Sequence, residues 1–379
     1  MTPITCIEDL RQLFRKRVPR MFFEYTEAGS WTESTLKDNL SAFEAIKLRQ
    51  KILVDMTDRS LKTRMAGQEV AMPVALAPVG LTGMLHADGE IKAARAAERF
   101  GIPYCLSTMS ICSIEDVAEH TSEPFWFQLY VMRDREFIGR LINRAKAAGC
   151  SALVLTVDLQ ILGQRHVDVK NGLSTPPKPT LKNLLNIAGK PRWAFGMART
   201  RRKSFGNIVG HHPQARDTRS LSIWTARQFD PKLNWDDVQW IRDRWGGTLI
   251  LKGIIDVEDA RMAARSGADA IIVSNHGGRQ LDGAPAAADA LPPIAAAVGN
   301  DVEVWVDGGI RTGQDLFRAL ALGAKGTMVG RAYAYGLGAL GEEGVVTALE
   351  ILRRELDLTM AFCGLRNIED VSEDVIWRA

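Results

Sequence analysis

The sequence predicts an α/β fold: a closed parallel (β/α)8, or TIM, barrel with an N-terminal helical extension and a long insertion between its fourth and fifth strands. Three observations predict it. Eight short apolar, β-branched runs follow one another, Ala-rich amphipathic stretches separate them, and nearly every run ends in polar side chains. Strands buried on both faces read as continuous apolar runs rather than alternating ones. Eight strand-helix units in series favour a sheet that closes on itself. An open doubly wound sheet is the alternative, but its Gly-x-Gly-x-x-Gly turn after a first strand is missing.

The runs cover residues 74–78, 104–108, 125–130, 152–158, 249–253, 270–275, 302–308 and 326–331. Helical stretches at 88–100, 134–148, 256–266 and 312–322 open on Asp88, Asp134, Asp256 and Thr312, all suited to N-capping. They close near Gly101, Gly149, Gly267 and Gly323, which accept the left-handed backbone that ends a helix. Residues 1–73 precede the barrel, 74–379, as a helical extension that should close its bottom or reach over its active face. Some 90 residues separate the fourth and fifth runs, too many for a loop plus one helix.

Composition narrows the function classes. No stretch among the 379 residues reaches the ~18 apolar residues of a membrane span. The first ten residues lack the basic-then-apolar order of a secretory signal. Five scattered cysteines point to reduced thiols and a cytoplasmic setting rather than a disulfide framework. No Cys-x-x-Cys or His-x-x-x-His pair occurs, so no metal site is expected. The net charge of +3 is unevenly spread: residues 170–220 hold eleven Lys or Arg and one acid, Asp217. The remainder is therefore mildly acidic, and the basic block is a local device.

The chemistry concentrates where the runs end, because a barrel brings those ends to one face. After the sixth run comes Ser274-Asn275-His276-Gly277-Gly278-Arg279. Paired glycines let the backbone turn sharply and approach a ligand. Histidine is the side chain whose ordinary charge change falls nearest neutrality, so a histidine at a strand end suits a general base. Arg279 offers a two-pronged donor for a carboxylate. Asp158, ending the fourth run, could pair with the imidazole and stabilise its protonated form.

With these residues the chain resembles the FMN-dependent L-2-hydroxy-acid oxidases and dehydrogenases. The resemblance spans essentially the whole chain: Phe23-Glu24-Tyr25, Ala77-Pro78-Val79-Gly80, Leu106-Ser107-Thr108, Phe127-Gln128-Leu129-Tyr130, Leu155-Thr156-Val157-Asp158, Leu251-Lys252-Gly253, Asp307-Gly308-Gly309-Ile310-Arg311 and Gly330-Arg331. It is strongest toward the bacterial quinone-linked L-lactate dehydrogenases, with mandelate dehydrogenases and glycolate oxidases as relatives.

The resemblance implies a role for each residue. His276 takes a proton from the substrate C2–H or hydroxyl, and Asp158 orients it. Arg165 and Arg279 grip the substrate carboxylate, helped by Tyr25, while Tyr130 bonds the substrate oxygen. Lys252 sits at the flavin N1/C2 edge, where a fixed positive charge stabilises the reduced ring. Pro78, Val79, Gly80, Ser107, Gln128, Thr156 and Ser274 read the rest of the flavin. Asp307 meets the ribityl hydroxyls, and Gly308, Gly309, Arg311, Gly330 and Arg331 form the phosphate end. Gly80 agrees with the dehydrogenase members, where glycolate oxidases carry Ala. Met109 replaces their Trp, as either pocket wall or simple core filler.

The basic insertion, 171–220, runs from a Pro-rich piece (Pro176, Pro177 and Pro179) through an apolar helical pattern at 181–188 to Trp193, Phe195 and the cluster Arg199, Arg201, Arg202 and Lys203. Apolar residues beside cations suit a segment lying on an anionic bilayer, here through 173–210. A solvated active-site loop is the alternative, and nucleic-acid binding lacks any motif. The expected activity is oxidation of an L-2-hydroxy acid, L-lactate first and mandelate next. Electrons pass to a membrane quinone or other acceptor, from a homotetramer peripheral on the inner face of the cell membrane. Peroxide-forming oxidation by oxygen is the alternative. A non-redox FMN barrel such as a type 2 isopentenyl diphosphate isomerase is disfavoured by the His276, Arg279 and Arg165 set.

Overall fold

The structure is a computed structural model that describes residues 3–173, 181–211 and 228–378. After a hairpin of β1 (Thr63–Met65) and β2 (Gln68–Val70), eight strands form one parallel sheet. They are β3 (Val74–Leu76), β4 (Cys105–Ser107), β5 (Trp126–Tyr130), β6 (Ala152–Thr156), β7 (Thr248–Ile254), β8 (Ala270–Val273), β9 (Glu303–Asp307) and β10 (Gly326–Val329). Neighbours in sequence are neighbours in the sheet, and β10 pairs with β3. A parallel bridge between Leu76 and Tyr104 joins the remaining edges and closes the barrel. Each predicted run is present, most of them a residue or more shorter at the C-terminal end, where the chain leaves the sheet for its active-face loops.

Side chains alternate across a strand with period two. One set, including Leu76, Leu106, Phe127, Leu129, Leu153, Leu155, Leu249, Leu251 and Val273, packs outward on the helices. The other fills the barrel with Ala75, Cys105, Trp126, Ala152, Val154, Ile250, Ile272, Trp305 and Met328. Trp126 and Trp305 stack there at 5.4 Å, and Met65 and Val70 of the hairpin pack beneath. Two residues further along, the inward series becomes polar: Ser107, Gln128, Thr156, Lys252, Ser274 and Asp307. One period-two pattern thus builds an apolar floor and a polar ceiling.

The expected helices are present at Gly89–Phe100, Arg135–Ala147, Val257–Arg265 and Gly313–Ala321. Asp134, Asp256 and Thr312 accept backbone N–H bonds at their N-termini as expected. Asp88 does not. Its side chain turns to the insertion, accepting from Thr200 Oγ1 at 2.7 Å and Arg202 Nη1 at 3.1 Å. All five cysteines are free.

The N-terminal residues form α1 (Ile7–Arg17), α2 (Arg20–Glu27) and α3 (Ser34–Ala45). Met65 and Val70 of the hairpin pack on the apolar interior of the barrel, while Tyr25 and Thr26 of α2 line the cavity at its other end. In the insertion, helices Leu181–Ala188 and Pro191–Arg199 dock on this extension. Trp193 packs at a tilt against Phe22, centroids 5.6 Å apart, and Lys190 Nζ donates to the Lys16 carbonyl at 2.6 Å. Arg202 pairs with both Asp88 and Asp116. These contacts make the described part of the insertion a docked element, not a free loop. The Pro-rich piece and residues 212–220 lie outside the described residues.

Candidate active site

A cavity of about 310 Å³ opens on the C-terminal face of the barrel. Its walls include Tyr25, Pro78, Val79, Gly80, Met109, Tyr130, Thr156, Arg165, Lys252, His276, Arg279, Asp307, Gly308, Gly309, Arg311, Gly330 and Arg331. Seventeen expected residues, spread along the chain from Tyr25 to Arg331, therefore meet in one place. Asp158, Ser107, Gln128 and Ser274 stand behind the wall and act through hydrogen bonds.

The catalytic-looking end is built on strained backbone. His276 has φ +59°, and Gly277 and Gly278 follow at +65° and +73°. A left-handed conformation costs a non-glycine residue roughly 1–2 kcal/mol and persists only where surroundings enforce it. Here the His276 N–H donates to Ser274 Oγ at 3.1 Å. Its Nδ1 pairs with Asp158 Oδ1 at 2.9 Å, which leaves Nε2 for a substrate. Asp158 can come this close because β7 bulges between Lys252 and Ile254. Gly253 sits in the bulge at φ +107°, where a Cβ would lie 2.6 Å from Asp158 Cγ. The ring of Tyr130 lies parallel to that of His276, centroids 6.5 Å apart. Burial, then the charge of Asp158, pushes the Tyr130 phenol up, so it remains a neutral donor.

Beside them Arg165 and Arg279 both lie against the Tyr25 ring, at 5.8 and 4.8 Å from its centroid. Burial, then the neighbouring Arg165, pulls Arg279 down. Arg279 Nη1 also donates to the carbonyls of Tyr25 and Ala28, at 2.7 and 2.9 Å. Arg331 bonds the carbonyls of Thr26, Glu27, Ala28 and Gly277. Carbonyls at a helix C-terminus carry partial negative charge and lack helical partners. The two arginines thus fix the end of α2, and Tyr25 with it, over the barrel. Sequence reading did not foresee this second task.

The other end of the cavity has a hydrogen-bonding edge. Lys252 Nζ donates to Ser274 Oγ at 2.7 Å and pairs with Asp307 Oδ2 at 2.6 Å. Gln128 Oε1 accepts from Ser107 Oγ at 3.2 Å and from Thr108 N at 3.3 Å. Gln128 Nε2, Thr156 Oγ1 and Asp307 Oδ1 are buried without partners inside the protein. Buried polar atoms are rarely left so, and a donor, a hydroxyl and a carboxylate oxygen at the same end of the barrel ask for a heteroatom-rich ligand. Burial, then Arg311, pushes Arg331 down to about 9. Cations crowded like this ask for an anion. Residues and geometry fit the flavin edge, ribityl chain and phosphate of FMN.

Several residues at or behind this site carried no signal of their own in the sequence. Phe229, Leu159, Leu162 and Phe205 also line the cavity. Asn207, fully buried, donates to the Thr108 carbonyl and Ser110 Oγ and so pins the loop bearing Met109. Among the described residues no group of acids, histidines and cysteines could hold a metal.

The chain matches the sequence model of the FMN-dependent dehydrogenases over residues 14–378. It is 44% identical to the L-lactate dehydrogenase of Caulobacter vibrioides (strain NA1000 / CB15N), over 98% of this chain and 97% of that protein. Identity to the L-lactate dehydrogenase of Pseudomonas syringae pv. syringae (strain B728a) is 45%, over 99% of each. Among solved structures, the monotopic membrane protein (S)-mandelate dehydrogenase superposes with a TM-score of 0.95 at 37% identity, over the whole of both chains. A mandelate oxidase with (S)-2-phenylpropionate superposes at 0.82 and 35% identity, over 97% of this chain and 96% of that one.

Proposed function

This chain belongs to the FMN-dependent dehydrogenase family, and on that footing we propose that it oxidises an L-2-hydroxy acid, first of all L-lactate, to the 2-oxo acid and passes the electrons to a membrane quinone. The observation that carries the reading is His276 with Nδ1 held by Asp158 and Nε2 free for a substrate. It stands in one cavity with Tyr130, Arg165 and Arg279. Arg165 and Arg279 bind the substrate carboxylate, and Tyr130 holds the C2 oxygen. His276 takes the proton from C2–H or the hydroxyl, and Asp158 offsets the charge gained. FMN supplies the two-electron sink. Gln128, Thr156, Ser107, Ser274, Lys252 and the backbone of Pro78–Gly80 hold its ring; Asp307 holds the ribityl hydroxyls. Gly308, Gly309, Arg311, Gly330 and Arg331 hold its phosphate.

A second reading, a larger or aromatic hydroxy acid, is favoured by the apolar wall of Met109, Leu159, Leu162, Phe205 and Phe229. Anaerobic bleaching of the bound flavin by lactate, glycolate, mandelate, phenyllactate and longer aliphatic acids decides between them. No bleaching by any of these acids would remove the reading altogether.

Two features support a quinone and a bilayer. Leu162 lines the cavity and is exposed, as is its neighbour Ile161. Leu184, Leu185 and Phe195 are exposed on the insertion helices, beside exposed Arg192, Arg199, Arg201 and Lys203. Among the described residues no helix is long and apolar enough to cross a membrane. Re-oxidation of the reduced enzyme by quinone or by air is the deciding measurement, and fast peroxide release would overturn the quinone assignment. Homotetrameric assembly completes the reading and is checked by light scattering.

A further inference from the structure

The reaction just outlined makes no use of Asp168. This carboxylate lies in the short helix His166–Lys170, three residues after Arg165, which is that helix's N-cap. It is buried, at 6% exposure. Its Oδ2 accepts from Arg165 Nε at 2.5 Å, and its Oδ1 is enclosed without a partner. A buried carboxylate is costly unless an opposite charge faces it, and here Arg165 does.

Its surroundings show what it does. Arg165 and Arg279 repel each other across the Tyr25 ring, and burial disfavours both cations. The charge of Asp168 acts on both in the opposite sense. Binding Arg165 through Nε leaves the two terminal nitrogens, the fork that matches a carboxylate, for the cavity that Arg165 lines. A bond to either terminal nitrogen would have spoiled that fork.

We propose that Asp168 is a positioning residue of the substrate clamp: it aims the Arg165 fork into the cavity and supplies the negative charge that keeps Arg165 and Arg279 side by side until a substrate carboxylate arrives. It touches no reacting atom. The inference rests on the carboxylate-clamp reading given above.

The test separates aim from mere support. In Asp168→Asn the KM for L-lactate should rise roughly 10- to 100-fold, the scale of a lost buried charged hydrogen bond. Its kcat and FMN content should change little. Lactate methyl ester, which lacks the anion, should be turned over alike by both proteins. Oxalate, which carries carboxylates and cannot be oxidised, reads the clamp without turnover through the flavin spectrum, and its Kd should rise by the same factor. Adding Asp168→Met to Arg165→Met should cost nothing further, because Asp168 acts through Arg165. This double variant buries no lone charge and serves if Asp168→Asn fails to fold. Unchanged oxalate binding, equal losses for acid and ester, or additive losses in the double variant would each overturn the proposal. A wild-type protein that binds oxalate yet oxidises no hydroxy acid would sink the functional reading and leave the clamp standing.

Discussion

Asp158 Oδ1 lies 2.9 Å from His276 Nδ1, a contact that joins the loop after β6 to the loop after β8 across 118 residues. It settles which imidazole nitrogen faces the cavity, and it places a negative charge where a protonated His276 needs one. His276→Gln should keep its FMN while reduction by substrate falls at least ~100-fold, the lower range for a lost general base. Anaerobic stopped-flow bleaching measures this. Near-normal reduction would remove His276 from the role.

Gly253 makes that contact geometrically feasible. Its φ of +107° is foreign to other residues, and an added Cβ would meet Asp158 Cγ at 2.6 Å. Gly253→Ala should therefore destabilise the protein by about 1–3 kcal/mol, from strain and overpacking together. Reduction should slow at the same time, since Asp158 must move away from His276. Denaturant titration and bleaching rate check the two effects. A stable variant with normal bleaching would show that the approach of Asp158 does not matter.

How much of this was legible in the sequence follows from what kind of relationship each residue has. Thr156, Asp158, Ser274 and His276 stand at or just beyond the ends of their strands, and a barrel brings those ends to one face, so their place was a local matter. Asp134, Asp256 and Thr312 cap their own helices, again a local matter. Asp88 looked the same and is not, because its partner Arg202 lies 114 residues away in the insertion. Phe229 and Asn207 were missed for the same reason. A buried Asn bracing a loop from 97 residues away, at 2.9 Å from Ser110 Oγ, has no signature in either segment. Arg279 and Arg331 stood out in the sequence as candidate anion binders, but their hold on the end of α2 depends on how the extension docks.

The phosphate end should show a pH dependence of its own. Burial and Arg311 hold Arg331 down to about 9, below the ordinary arginine value. A cation whose folded value is depressed costs the apoprotein stability below about pH 9, and that cost is relieved as pH rises through it. The FMN phosphate favours the protonated guanidinium. Affinity should thus hold up to about pH 9 and then weaken by up to about tenfold per unit. Titration of apoprotein with FMN at pH 7 to 10, followed by fluorescence quenching, tests this. A flat profile, or the same profile in Arg331→Met, would exclude Arg331 as its source.

The insertion can be tested without dismantling it. Cutting it out would remove Trp193 and Arg202, which bond the Met84 carbonyl and the carboxylates of Asp88 and Asp116. Leu184, Leu185 and Phe195 instead point outward, at 57%, 68% and 64% exposure, and contribute little to the fold. Burying such side chains in a bilayer interface yields about 25 cal/mol per Å², and nearby Arg and Lys add about 1 kcal/mol each at an anionic surface. Replacing all three by Glu removes the first contribution and opposes the second. The triple variant should leave the membrane pellet for the supernatant while oxidising substrate with an artificial dye at the wild-type rate. Its rate with a membrane quinone should fall, because a long-chain quinone dissolves in the bilayer. Persistent pelleting would assign attachment to another surface, and an equal loss with dye and quinone would mean that the substitutions had reached the active site itself.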